Sequence, residues 1–506
     1  MSKKEIETVP YRSDKILTPP KENYGTVKNY IDGEWRESES DEYDEIKDPA
    51  TMEPVYKAPR STEDELKETI DVAEEAFWEW RTTPPIDRAR MMNRLSDILE
   101  DNFEHLARIL TQEMGKTIYD ARGEIRRGIE NVEVAAGIPS LMQGDFSEDI
   151  ARDIDEWTIK TPLGVFGSIN PYNFPFMVPM WFIPYCIATG NTMVVKPSSR
   201  VPNSMIELFK IIDRELDLPD GVINLVNVPG KKTDPFYDHD AVKGVTFVGS
   251  TPVGNDVYKK AGAAGMRALC QAGALCFSVM MPSTVVDTAC RSSLTSYYGC
   301  SGQRCLSNQV MLVHEDIADE FKETMIEQSR KFKMGHGLDE SVQMGPMVDK
   351  AAKDKVLRHI ESALDDGMEM LLDGRDVEID GLPSDCFVGP TILDGLEMDM
   401  DVAHDEIFGP VMLIKEISNL DEAIDIIKEH EKGNATTIYT EEGSEARKFR
   451  YDVNIGNVGV NVGIVAPMAF FPFGGTKESF YGVLHGQRES IDFFTDRKVV
   501  IERWFE

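Results

Sequence analysis

From about Leu163 onward, short apolar runs alternate with helix-length stretches, and this rhythm constrains the fold more than any other feature of the chain. Val165–Ile169, Met193–Val195, Val222–Val226, Val245–Val248 and Ser278–Met281 are too short for helices and are spaced as the strands of βαβ units, which predicts a parallel sheet covered by helices. A second α/β stretch follows Cys305, beginning with the strand-like Gln309–Val313 and the helix-like Ile317–Arg330. The first 145 residues read mainly as helices. Leu66, Ile70, Ala73, Phe77 and Trp80 recur at helical spacing behind a capping box, Thr62 with Glu65. After Pro84–Pro85 a second helix carries Leu95, Ile98, Leu99, Leu106, Ile109 and Leu110. The polar, weakly alternating Glu148–Lys160 predicts an exposed hairpin. Val499-Val500-Ile501 predicts a closing strand able to pair with another subunit.

At 506 residues the chain is long enough for two or three domains. A hydrophobic fraction of 41% fits a globular protein. No apolar run reaches the roughly 18 residues of a membrane span, and the charged Met1–Lys15 lacks a signal core, so a cytoplasmic protein is expected. The net charge of −35 argues against nucleic-acid and anionic-membrane partners. The acidic Glu37–Glu45 reads as a solvated turn. Seven cysteines without a CxxC pair, and histidines without an HExxH pattern, predict reduced thiols and no metal site.

Three segments carry chemistry. In Val245–Gly254 a strand ends at Gly249 and a helix starts near Pro252, placing free N–H groups where a pyrophosphate can sit. In Asn170-Pro-Tyr-Asn-Phe-Pro175 the prolines fix a turn that can aim the Asn173 amide into a cleft; the plain alternative is a turn asparagine. In Tyr298–Leu306, Gly299 and Gly302 loosen the backbone and Arg304 sets a cation beside Cys305, which is expected to lower the thiol pKa. Cys300, without an adjacent cation, is the alternative nucleophile.

NPYNFP (170–175), GNTMVVKPS (190–198), FVGSTPVG (247–254), GQRC (302–305), EIFGP (406–410) and FPFGGTKES (471–479) stand in the order found in the aldehyde dehydrogenase superfamily, which the chain resembles from about Tyr30 to Trp504. Within it the chain looks most like the methylmalonate-semialdehyde dehydrogenases, the branch that acylates coenzyme A, through Met177–Pro184, Arg127–Glu133 and Ala466–Gly475. The resemblance implies an α/β fold with a Rossmann-type cofactor domain (20–147 and 162–273), a catalytic α/β domain (274–486) and oligomerisation elements (148–161 and 487–506) of a homodimer or homotetramer. It implies Cys305 as nucleophile, with Asn173 and the Cys305 N–H stabilising the oxyanion. Lys196 and Glu406 would bond the cofactor riboses, Phe408 and Tyr172 flank the nicotinamide, and Gly249 and Ser250 meet the pyrophosphate. Ile169, Pro171, Ser198, Ser199 and Arg200 complete the cofactor cleft. Arg127 and Arg304 match the pair that holds a substrate carboxylate, and each can equally be a structural ion-pair member.

Two departures shape the expectation. Hydrolytic relatives carry a glutamate where Gln271 stands, and an amide cannot act as general base, a contribution of about 10²–10⁴-fold. Coenzyme A, a thiol, then becomes the expected acyl acceptor. The branch has asparagine there, and Leu275-Cys276-Phe277 replaces its polar Lys-Asn-His run. Ser199 stands where NAD-preferring members have glutamate, so NADP is expected ahead of NAD, the alternative being a pocket that accepts both. Two further readings stay open: a non-acylating enzyme giving the free acid from a small polar aldehyde, and a non-catalytic oligomeric binding protein.

Overall fold

A computed structural model describes residues 6–505. The runs named above form the inner strands of a mixed sheet. Arg267–Gln271, Val242–Val248, Val165–Ile169, Thr192–Lys196 and Ile223–Leu225 lie side by side in that order and all parallel. Chain order reverses between Val165–Ile169 and Val242–Val248, and in such sheets ligands bind at the carboxyl ends beside the reversal. Antiparallel strands close both edges, Phe480–Gly482 on one side and the hairpin Asn29–Ile31/Glu34–Arg36 on the other. Phe480–Gly482 thus joins the first sheet, although the expected boundary placed it with the second domain.

The second sheet runs Glu369–Leu372, Thr391–Asp394, Val411–Ile417, Asn308–His314, Cys276–Met280, Ala435–Tyr439, Asn457–Val460, parallel except at the first pair. The third sheet pairs Phe146–Ala151 with Ile154–Pro162, the expected hairpin, and Ile154–Pro162 with Thr495–Arg503. The closing strand pairs within its own chain along nine residues and forms the edge of this sheet, so the expected pairing with another subunit remains open to its outer side.

The helix Glu63–Trp80 has both halves of its capping box, and Leu66, Ile70, Ala73, Phe77 and Trp80 are all buried. The cap contributes about 1 kcal/mol, and each large apolar side chain about 1.5–3 kcal/mol. The stretch read as one helix after Pro85 is two, Pro85–Asp101 and Phe103–Met114, broken at Asn102, whose side chain bonds back to the Ile98 carbonyl at 2.9 Å. The N-terminal region is less helical than expected. Besides the edge hairpin it contains Tyr43–Lys47 and Pro54–Pro59, and part of the acidic stretch is an edge strand.

Candidate active site

The carboxyl ends of the first sheet meet the amino ends of the second. After Val165–Ile169, the Asn170 amide donates to the carbonyls of Ser168 and Lys196 at 3.1 and 3.2 Å, tying two strand ends together. The buried Asn173 donates to the Gln303 carbonyl at 2.9 Å, linking this turn to the cysteine loop. Ile169 is buried and Pro171 half-buried in the same turn. Lys196 ends the next strand, buried, and burial alone pulls its pKa down to about 8. Beyond it the Ser198 hydroxyl accepts the Arg200 N–H at 3.3 Å, while Ser199 lines a cleft of about 480 Å³ beside Arg200 and Asp349. The Arg200 guanidinium lies over the Tyr172 ring, 4.9 Å from its centroid, and pairs with Asp349 at 3.4 Å. Tyr172 in turn meets Phe408 edge-on at 5.9 Å.

Val242–Val248 ends at Gly249, whose N–H donates to the Gln271 carbonyl at 3.0 Å. Phe247 folds back so that a Cβ on Gly249 would lie 2.6 Å from its ring. Ser250 is the N-cap of the helix Thr251–Ala263 but makes no side-chain cap bond, which leaves the first-turn donors to a ligand.

From the second sheet, Cys305 precedes Asn308–His314 and is the one cysteine of seven that is not fully buried. Its carbonyl accepts from the Asn434 amide at 2.9 Å and lies 3.6 Å from the Cys276 sulfur. Burial first and the Glu406 charge second push its thiol up to about 12, partly offset by its own N–H, by Arg304 and by the Leu306 N–H. Arg304 does lower the thiol pKa as expected, but burial outweighs it and the net shift is upward. The guanidinium turns to Asp120 at 2.6 Å and lies against Gly299. Cys300 does lie in the field of two cations, Lys116 and Arg304, contrary to expectation, but it is fully buried with a net upward shift. Glu406 Oε1 accepts the Ala274 N–H at 3.1 Å, and burial raises its carboxyl to about 7. Phe408 adopts φ +59 in the following turn. Gln271 Nε2 and Arg304 Nε are buried donors without a hydrogen-bond partner.

The brace beneath the cysteine loop escaped sequence reasoning. The helix Ile118–Ala135 presents Asp120 and Glu124 one turn apart, a spacing that is their only trace in the sequence. Asp120 holds Arg304 and the Cys300 N–H. Glu124, fully buried, holds Lys116 at 2.5 Å and accepts the N–H groups of Phe176 and Met177, while Lys116 donates to the Asn173 carbonyl at 2.6 Å. Arg127, farther along the helix, is half-exposed, pairs with Glu130 at 3.0 Å and lies beside the Met468 sulfur. His404, His430 and Glu431 cluster closely enough to ligate a cation, but the ring nitrogens are engaged by Met398, Ala403, Lys432 and Glu431. No helix among the described residues is long and apolar enough to cross a membrane.

The sequence profile of the aldehyde dehydrogenase family matches residues 35–500. Malonate-semialdehyde dehydrogenase 2 of Geobacillus kaustophilus is 42% identical over 484 residues, 95% of this chain and 99% of that protein. The crystal structure of methylmalonate-semialdehyde dehydrogenase from Oceanimonas doudoroffii superposes with a TM-score of 0.93 at 36% identity, covering 95% of this chain and 99% of that one. A structure from Sinorhizobium meliloti 1021, complexed with NAD, has the same TM-score and identity and covers 95% and 98%.

Proposed function

The chain belongs to the aldehyde dehydrogenase family, and from that premise we propose that it oxidises malonate or methylmalonate semialdehyde through a thioester on Cys305 and passes the acyl group to coenzyme A. It is an NAD(P)-dependent oxidoreductase acting on aldehydes. The donor set fits a dinucleotide. Lys196 is buried without a counter-charge shifting it, Ser250 leaves the helix start open, and Glu406 is a half-buried carboxylate with one oxygen bonded to a backbone N–H. Lys196 and Glu406 would hold the riboses, Gly249 and Ser250 the pyrophosphate, and Tyr172 with Phe408 the nicotinamide, which supplies the hydride acceptor when bound. Ser199 offers no carboxylate to repel a 2′-phosphate, so we assign NADP ahead of NAD. The Arg200 guanidinium would divide its donors between that phosphate and its present partner, Asp349.

In this reading the Cys305 sulfur, once deprotonated, adds to the aldehyde carbon. The Asn173 amide and the Cys305 N–H hold the oxygen that gains charge. Loss of hydride leaves the thioester. The unpaired Arg304 Nε and the half-exposed Arg127 meet the substrate carboxylate. The observation that carries the acyl acceptor is Gln271, a buried amide with its Nε2 unpaired where hydrolytic relatives carry a carboxylate base. Without that base water is a slow acceptor, whereas a thiol attacks as its own thiolate. The exposed apolar residues Phe146, Ile150, Val499 and Ile501 on the third sheet support assembly into a dimer or tetramer.

The test is the rate of NADP and NAD reduction with each semialdehyde, with and without coenzyme A. Strong stimulation with a coenzyme A thioester as product supports the proposal. Equal rates without coenzyme A, with free acid as product, refute it.

A further inference from the structure

Cys276 replaces a polar residue of the family's pattern and opens the strand Cys276–Met280 directly beneath the cysteine loop. Its sulfur is fully buried and lies 3.6 Å from the Cys305 carbonyl oxygen, two bonds from the Cα that bears the Cys305 side chain. Burial pushes the Cys276 thiol up, and the charge of a deprotonated Cys305 adds to that rise. The other five cysteines are buried, so an oxidant entering the site meets Cys305 first. Cys300 is the nearest alternative in sequence, but its backbone N–H is fixed to Asp120 at 3.1 Å and its electrostatic neighbours are Lys116, Asp120, Arg304 and Glu124 rather than Cys305.

We propose that Cys305 and Cys276 form a reversible disulfide when the enzyme meets a hydroperoxide, so that Cys276 is a resolving thiol that shields Cys305 from irreversible oxidation. The Cys305 thiol gives its proton to solvent, and the thiolate attacks one peroxide oxygen. The O–O bond breaks, hydroxide leaves, and the sulfur, oxidised by two electrons, becomes a sulfenic acid. The Cys276 sulfur then attacks that sulfur. The S–O bond breaks, and the hydroxyl departs as water with the Cys276 proton. The sum is two thiols and one hydrogen peroxide giving one disulfide and two waters. A dithiol returns both residues to the reduced state by exchange. Deprotonation of Cys305 starts the sequence, so the link forms faster as the pH is raised.

The experiment treats the full-length protein, without cofactor, with hydrogen peroxide at mildly alkaline pH and reads intact mass and the peptide map. The expected result is the loss of two hydrogens, a peptide bearing Cys276 joined to one bearing Cys305, and full reversal by dithiothreitol. In Cys276→Ser the same treatment is expected to add two or three oxygens to Cys305 that dithiothreitol does not remove. The proposal is overturned if the wild-type chain carries those oxygens on Cys305 with Cys276 free, if Cys305 is joined to Cys300, or if no link forms. If the serine variant fails to fold, the wild-type peptide map decides alone.

Discussion

At the carboxyl ends of the first sheet the polar groups are left open, whereas at the amino ends of the second sheet most are tied to one another. Ser250 caps its helix without a side-chain bond, and Lys196 is buried with no counter-charge shifting its pKa. Across the cleft, Arg304 is held by Asp120 and the Cys305 carbonyl by Asn434, and the cysteine loop is tied back to the first sheet where the Gln303 carbonyl accepts from Asn173, whose turn is braced by the Lys116–Glu124 pair. Open donors suit a ligand that brings its own charge and leaves after each turnover. A nucleophile must instead be held in place before the substrate arrives, and buried ion pairs do that at a cost in desolvation. The contrast teaches that one cleft can be half ligand-completed and half self-completed.

The largest effect expected is on the self-completed side. Cys305→Ala should lower the rate of NADP reduction by about 10⁴-fold or more while leaving the melting temperature near that of the parent. Activity that survives would place the nucleophile elsewhere. Glu124→Gln strands the buried Lys116 and should cost about 3–5 kcal/mol of stability in denaturant unfolding. A loss below about 1 kcal/mol, the range of an exposed pair, would mean the brace is not a buried ion pair.

On the open side the effects should be smaller and confined to the cofactor. Ser199→Glu should move the ratio of kcat/KM for NADP over NAD by about tenfold toward NAD, about 1.4 kcal/mol. An unchanged ratio would remove Ser199 from the ribose pocket. Lys196 has its pKa lowered to about 8, so it is charged below that pH and neutral above it. The KM for NADP should therefore rise a few-fold as pH passes upward through about 8, less steeply if the bound phosphate restores the charge. In Lys196→Met the KM should be high and flat over the same range.

What was legible in the sequence follows the reach of each interaction. The helix Glu63–Trp80 was readable because its cap, Thr62, directly precedes an apolar face repeated over its eighteen residues. The parallel strands were readable because they are buried on both faces and written as continuous apolar runs. The break at Asn102 was not, since the apolar spacing continues across it. The hairpin Asn29–Arg36 was missed because its strands are three residues each. At the site, the positions of Asn173, Lys196, Gly249 and Cys305 follow from strand ends, which the sequence marks. The aim of Arg304 does not, because its partner Asp120 lies 184 residues away and only the fold brings them together. The expected thiol activation failed for a related reason: adjacency in sequence showed the cation, but not the burial and the Glu406 charge that the fold sets around Cys305.

The account stands most directly on the fate of the acyl group in the Gln271→Glu variant. Semialdehyde is supplied together with coenzyme A and NADP, and thioester and free acid are quantified for parent and variant. The account predicts almost only thioester from the parent, and a gain in free acid of about 10–10²-fold in the variant, because a carboxylate returns the general base. Free acid as the main product of the parent, or no gain in the variant, would contradict it.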